Sequence, residues 1–281
     1  MSYEFLLLAP EPLEGASVAV GGSSSSAAAG MPWSNLLTPY SFEKARTSSL
    51  TGMTLELDLG AASEIDTVLM LYSNARSDTD WRIRLADTQP DLTSATGDDD
   101  SGTIDFLPAS TPSTVADDWP KGTLGFWQAA STRTRRWIKI DFTDATHPDG
   151  YLQFGALLLG KAWQPSRTPT WGGRPASEQE QPNRSRSVAG DLFVVPAPRP
   201  TGAIYRLNNL TEAEYDALRR IYRLRGTSKQ VATIFDPTNT AYLHGNIVHG
   251  YLADNSPIAR PRYVAGGAEW SAEVSIESAT G

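Results

Sequence analysis

Residues 53–59, MTLELDL, alternate between apolar and polar positions. Met53, Leu55, Leu57 and Leu59 fall on one side, with Thr54, Glu56 and Asp58 on the other. A period of two predicts a half-buried strand. Gly60 follows, a residue that lets the backbone turn, and Ile65 with TVLMLYS up to Asn74 predicts a second, more deeply buried strand. DWRIRLAD, 80–87, alternates again with Trp81, Ile83 and Leu85 inward. RRWIKIDF, 135–142, offers Trp137, Ile138, Ile140 and Phe142 as apolar positions, and alternation assigns Trp81 and Trp137 to the core. YLQFGALLLGKAW, 151–163, closes the series. Before these lie a short apolar strand, Phe5 to Leu8, and GGSSSSAAAG, 21–30, which has no hydrophobic face and reads as a surface loop. The polar stretch 88–118 reads as long loops around one short strand at TIDFL, 103–107. Many short strands with turn signals and no amphipathic helix predict an antiparallel β-sandwich over residues 1–165.

The pattern then changes. Pro165, Pro169, Pro175 and Pro182 alternate with polar residues, which resists regular strand pairing and predicts a linker or extended arm over 166–184. Residues 185–281 read as a small β-barrel with one helix, written LTEAEYDALRRIYRLRG from Leu210 to Gly226. Thr211 is its expected N-cap, and Glu214 three residues on completes a capping box. Tyr215, Leu218, Ile221 and Tyr222 recur at helical spacing, arginines crowd the last turns, and Gly226 ends the run. QVATIFDPT, YLHGNIVHGYLAD and EWSAEVSIES read as strands after it.

Composition narrows the function more by exclusion than by assignment. In 281 residues there are 32 acidic and 24 basic side chains, a net charge of −8, which argues against a general nucleic-acid binder. No cysteine is present, so disulfides, thiolate metal sites and cysteine nucleophiles are excluded. The amino terminus lacks a basic start and its apolar run FLLLA is short, so synthesis in the cytoplasm without membrane insertion is expected. Of three histidines, His244 and His249 lie five apart in a predicted strand, where alternation sends them to opposite faces and makes them poor partners for one metal. Asp98, Asp99 and Asp100 cluster in GDDDSG, but their spacing does not match an EF-hand, and an acidic solvated loop is the simpler reading than a calcium site. No nucleophile elbow, phosphate loop or dinucleotide fingerprint occurs. The expectation is a protein without catalysis, cofactor or metal. Trp33, Trp119 and Trp171 fall in predicted loops and are the candidate ligand or interface aromatics, because exposed aromatics stack on sugar faces and anchor protein contacts.

Two resemblances follow from these segments. LELDLGAASEIDTVLMLYSN, DWRIRLAD, RRWIKIDF and YLQFGALLLGKAW together resemble a galactose-binding-like, discoidin-type β-sandwich over roughly residues 30–163. That family binds sugars, lipids or proteins through variable loops, so the scaffold alone does not name a ligand. YRLNNLTEAEYDALRRIYRLRGTSKQVATIFDPT, LHGNIVHGYL and EWSAEVSIES, over roughly 185–279, are similar to the β-barrel-plus-helix domains of distal tail and minor tail proteins of long-tailed bacteriophages. The second resemblance implies a structural component of a phage tail tip, made in the host cytoplasm and built into the virion. It implies a homo-oligomeric, sixfold ring, contacts with the tail tube, the hub and other tail proteins, and host attachment, with host-surface carbohydrate as a partner. The alternative is a carbohydrate-binding module without catalysis.

Overall fold

The computed structural model describes residues 4–15, 17–108, 122–169, 174–178, 183–186, 191–195, 201–239, 243–254, 260–264 and 267–279. The chain is mainly β, and it divides into two compact units. One contains 6–163 and 237–244; the other contains 1–5, 164–236 and 245–281.

The first unit is a β-sandwich. Its strands are β1 (Phe5–Leu8), β2 (Ala19–Val20), β3 (Ala45–Arg46), β4 (Met53–Ser73), β5 (Asp80–Ala86), β6 (Ile104–Asp105), β7 (Thr123–Thr143), β8 (Gln153–Phe154), β9 (Ala156–Gly160) and β10 (Ala162–Trp163). The expected pair of strands around Gly60 is one strand of 21 residues. β7 is equally long, and the two pair antiparallel from Met53↔Phe142 to Ser73↔Thr123. Register shifts between Asp58 and Ser63, Ile65 and Thr67, and Met70 and Ser73 absorb the bends. Gly60 therefore serves a bulge, at φ 75°, rather than a chain reversal. Beyond the bend β4 changes its second neighbour. Ala19 pairs with Asp58 on the first half, whereas Thr67 to Leu71 pair with Gly160 to Ala156 of β9.

The core follows the apolar alternation. Met53, Leu55, Leu57, Trp81, Ile83, Leu85, Ile138, Ile140 and Phe142 are buried in one cluster. Val68 to Leu71 are all buried, so the second half of β4 is covered on both faces. Trp137 departs from the expectation. It is out of phase with Ile138, Ile140 and Phe142, and it lies half-buried with the Arg136 guanidinium 5.8 Å from its ring. The short strand near TIDFL is β6, and its neighbour Phe106 meets the Trp81 ring at 5.0 Å. β3 and β8 form a separate two-stranded ribbon, Ala45↔Phe154 and Arg46↔Gln153, with Ala45 and Phe154 turned inward.

The second unit holds β11 (Arg174–Glu178), β12 (Asn183–Arg186), β13 (Leu192–Val195), β14 (Thr201–Leu210), α1 (Glu212–Arg225), β15 (Gln230–Phe235), β16 (Ile247–Leu252), β17 (Arg260–Val264) and β18 (Gly267–Ser278), and the division falls within α2 (Leu243–Asn246), after His244. β11, β14, β18, β16 and β15 are neighbours in that order, with β17 also on β18. The proline-rich stretch contributes β11, whose pairing with β14 shifts register between Arg174 and Ser177, where Pro175 has no N–H to give. The α1 face is set by Leu218 and Tyr222, both buried, and by Tyr215, whose ring stacks on Trp270 at 4.5 Å and 3°. The Tyr222 hydroxyl donates to the Glu273 carbonyl at 3.3 Å. The segment expected as one strand from Tyr242 opens instead with the helical turn α2, which holds His244, and becomes β16 at Ile247.

Candidate functional site

The residues singled out in the sequence separate once placed. Trp33 lies in a 3-10 turn, Trp33–Leu37, and is 3% exposed. Its indole N–H donates to the Ser25 carbonyl at 2.8 Å, and its ring stacks near Phe142 and Phe154 at 6.2 and 6.1 Å. The ring is buried, so Trp33 is a core residue and offers no ligand platform. The reading as a loop aromatic failed because an apolar side chain in a loop can point inward as readily as one on a strand. Trp119 and Trp171 lie outside the described residues. Thr211 and Glu214 form a capping box: Thr211 Oγ1 accepts from Glu214 N at 3.3 Å, and Glu214 Oε2 accepts from Thr211 N at 2.7 Å. Glu214 Oε1 also accepts from Ser166 N. Burial raises its carboxyl, but these hydrogen bonds outweigh it and leave the group below its ordinary value.

The acidic loop is tied to arginines. Asp100 accepts from Arg82 and from Gly102 N, and Asp99 accepts from Arg135 at 2.8 Å. The Arg82 guanidinium holds the Asp100 carboxyl below the usual range. Among the described residues no group of three or more acidic or histidine side chains is placed to hold a metal ion. Asp87, Asp91 and Asp99 do line a shallow cleft of about 240 Å³ with Arg135. Asp58, like Asp100 and Glu214, is held below its ordinary value, here by the hydrogen bond from Arg136.

A different loop carries the surface with chemistry to offer. Between the Trp33–Leu37 turn and β3 runs TPYSFEK, residues 38–44. Tyr40 is 53% and Phe42 75% exposed, and their ring centroids are 5.4 Å apart at 34°. Hydrogen bonds pin the loop beneath them. Asn35 Nδ2 donates to the Lys44 carbonyl at 2.8 Å, Glu43 N to the Tyr40 carbonyl at 3.0 Å, and Arg46 N to the Met31 carbonyl at 3.1 Å. With Trp33, Leu36 and Ala45 in the core on either side, the loop is anchored and the two rings face water.

Basic and polar groups adjoin the loop. Lys44 reaches towards the Tyr72 carbonyl, 3.4 Å away, and lies 5.2 Å from that tyrosine's ring. Tyr72 adopts φ 57°, unusual for a non-glycine residue, at a register shift of β4. Gly155 leaves room here, since a Cβ on it would overlap Lys44 Nζ and sit 2.8 Å from the Ser41 carbonyl. Burial lowers the Lys44 ammonium from its ordinary value. The Arg46 guanidinium lies 3.2 Å from the centroid of the Tyr151 ring. Asn74 Nδ2 donates to Asp149 Oδ2 at 2.9 Å and to the Tyr151 carbonyl at 3.2 Å, and His147 Nε2 contacts the Asn74 carbonyl at 2.9 Å. The legible signal in the sequence was the alternation of Tyr40, Phe42, Lys44 and Arg46 after Pro39, which places aromatic and cationic side chains in one short segment.

No protein-family model matches the sequence, and no curated protein matches it. Solved structures do. The chain is similar to SpGH29, with 13% identity and a TM-score of 0.36 over 53% of this chain and 27% of that one. It is also similar to the family 32 carbohydrate-binding module of C. perfringens NanJ in complex with galactose, with 12% identity and a TM-score of 0.36 over 55% of this chain and 98% of that one. The lectin domain of lectinolysin in complex with Lewis B antigen is a third, with 11% identity and a TM-score of 0.35 over 53% of this chain and 95% of that one.

Proposed function

We propose that the sandwich unit is a carbohydrate-binding module without catalysis, which stacks a sugar ring on Tyr40 and Phe42. The exposed aromatic pair on a pinned loop carries this reading. One face of a pyranose is lined by C–H bonds, and an aromatic face covers it while hydroxyls at the rim keep polar partners. Lys44, Arg46 and the Asn74–Asp149 pair adjoin the loop and bring donors and an acceptor. Phe42→Ala is expected to weaken glycan binding by about tenfold, or roughly 1 kcal/mol and more, with the melting temperature unchanged because the ring is exposed. Calorimetric titration with ligands found on a glycan array measures both. Unchanged affinity in the variant, or an array with no bound sugar, would refute the assignment.

A second reading concerns the whole chain, and one feature favours it. β12 and β13 form a two-stranded ribbon, Asn183↔Val195 to Arg186↔Leu192. Leu192 and Phe193 are adjacent, so they point to opposite faces, and they are 51% and 58% exposed. A two-stranded ribbon that exposes apolar side chains is marginal in water and gains stability from a partner. With the resemblance of 185–279 to tail-tip domains, this supports a virion structural protein whose copies close into a ring and meet other tail proteins. The sandwich would then supply host-surface adhesion, so the two readings are compatible.

A further inference from the structure

We infer that the saccharide taken at the Tyr40–Phe42 surface is acidic, with a carboxylate or sulfate group that Lys44 and Arg46 meet. The inference rests on the reading of that surface as a sugar site and adds a charge to its ligand.

The first reason is placement. Ala45 is fully buried between them, so Lys44 and Arg46 share the outward face of the β3 segment, two and four positions from Phe42. Their neighbours hold them there. Lys44 crosses the space left by Gly155, and Arg46 lies against Tyr151. A guanidinium stacked on a ring keeps its N–H donors in its own plane, where they match a carboxylate or sulfate edge.

The second reason is what these cations lack. Elsewhere in the sandwich several basic side chains find carboxylates: Arg82 pairs with Asp100, Arg84 with Asp141, Arg135 with Asp99 and Arg136 with Asp58. Among the described residues no carboxylate lies within ion-pair distance of Lys44 or Arg46, and both are half-buried. In a chain with a net charge of −8, partners were available in number. Asp149, across the adjoining loop, is engaged by Asn74 Nδ2 at 2.9 Å and stands 3.9 Å from His147 Nδ1. Partial burial of an uncompensated ammonium is unfavourable, and an incoming anion offsets that cost. The hydroxyls of a neutral sugar can accept from these donors but leave the positive charges unbalanced.

The test uses the full chain on an array bearing uronate, sulfated and neutral oligosaccharides, followed by calorimetry. The tightest acidic ligand is compared with its methyl-esterified or desulfated counterpart, which keeps the ring and removes the charge. The expected result is a loss of about tenfold or more on neutralisation, deepening at low salt. The uronate and sulfate arms identify which anion is taken. The Lys44→Gln/Arg46→Gln double variant is expected to bind charged and neutral forms equally, whereas Phe42→Ala weakens both. Equal binding of charged and neutral ligands by the unaltered protein, or binding of neutral sugars alone, overturns the charge inference and leaves the carbohydrate reading standing. No binding of any sugar overturns both.

Discussion

His249 lies in β16 with its imidazole buried, and burial pushes it down to about 4 from the ordinary 6.5. The unfolded chain therefore takes up a proton before the folded one does. The stability from keeping this ring neutral is complete above pH 6.5 and is lost as pH falls through about 4, roughly 3 kcal/mol across the window. His244 moves in the same direction, also by burial. Denaturation midpoints measured from pH 7 to 4 should fall steeply, and His249→Gln should flatten that slope; an unchanged slope would assign the acid response to other groups. Trp33 tests packing in the other unit. Trp33→Ala removes a buried ring and its N–H bond to Ser25, and is expected to cost about 3–5 kcal/mol in denaturant unfolding. The sequence marked the indole as a ligand candidate because it stands in a loop, and it could not show that Phe142 and Phe154, distant in the chain, close over it. The reverse error hid Tyr40 and Phe42, whose exposure depends on where the loop folds.

β4 and α1 show which elements local pattern specifies. The α1 boundaries were legible because capping is local: Thr211, Glu214 and Gly226 each act within four residues of the backbone they satisfy. Thr211→Ala should lower stability by about 1 kcal/mol, read from the denaturation midpoint. β4 was half legible. Its alternation predicted strand on both sides of Gly60, but a glycine at positive φ serves a turn or a bulge equally, and the choice belongs to the partner strand. β7 runs past the bend on the far side and keeps pairing through Ser63↔Arg135, so the chain bends without reversing. A Cβ at residue 60 would overlap Ser17 Oγ in the neighbouring loop, and φ 75° is unfavourable for alanine. Gly60→Ala is therefore expected to destabilise by about 1–2 kcal/mol. If the residue sat in an open turn without Ser17 beside it, pairing the change with Ser17→Gly would recover nothing; partial recovery is expected.

For the proposed ring, the exposed Leu192 and Phe193 give the decisive measurement. Light scattering on the purified chain, alone and with tail partners, should give a ring-sized oligomer. Leu192→Ser/Phe193→Ser should shift the population towards monomer while the melting transition is retained. A chain that stays monomeric throughout, while still binding sugar, would leave the carbohydrate module alone in place. Properties that follow from chain-local physics could be read directly: the β-rich class from period-two alternation, the capped helix from its cap residues, and the exclusion of thiol chemistry from the lack of cysteine. The continuity of β4, the core position of Trp33, the outer face of Trp137 and the meeting of Lys44, Gly155 and Tyr72 are set by contacts between residues far apart in sequence. Such contacts depend on the register and bulges of paired strands, and a one-residue slip in register exchanges the two faces of a strand.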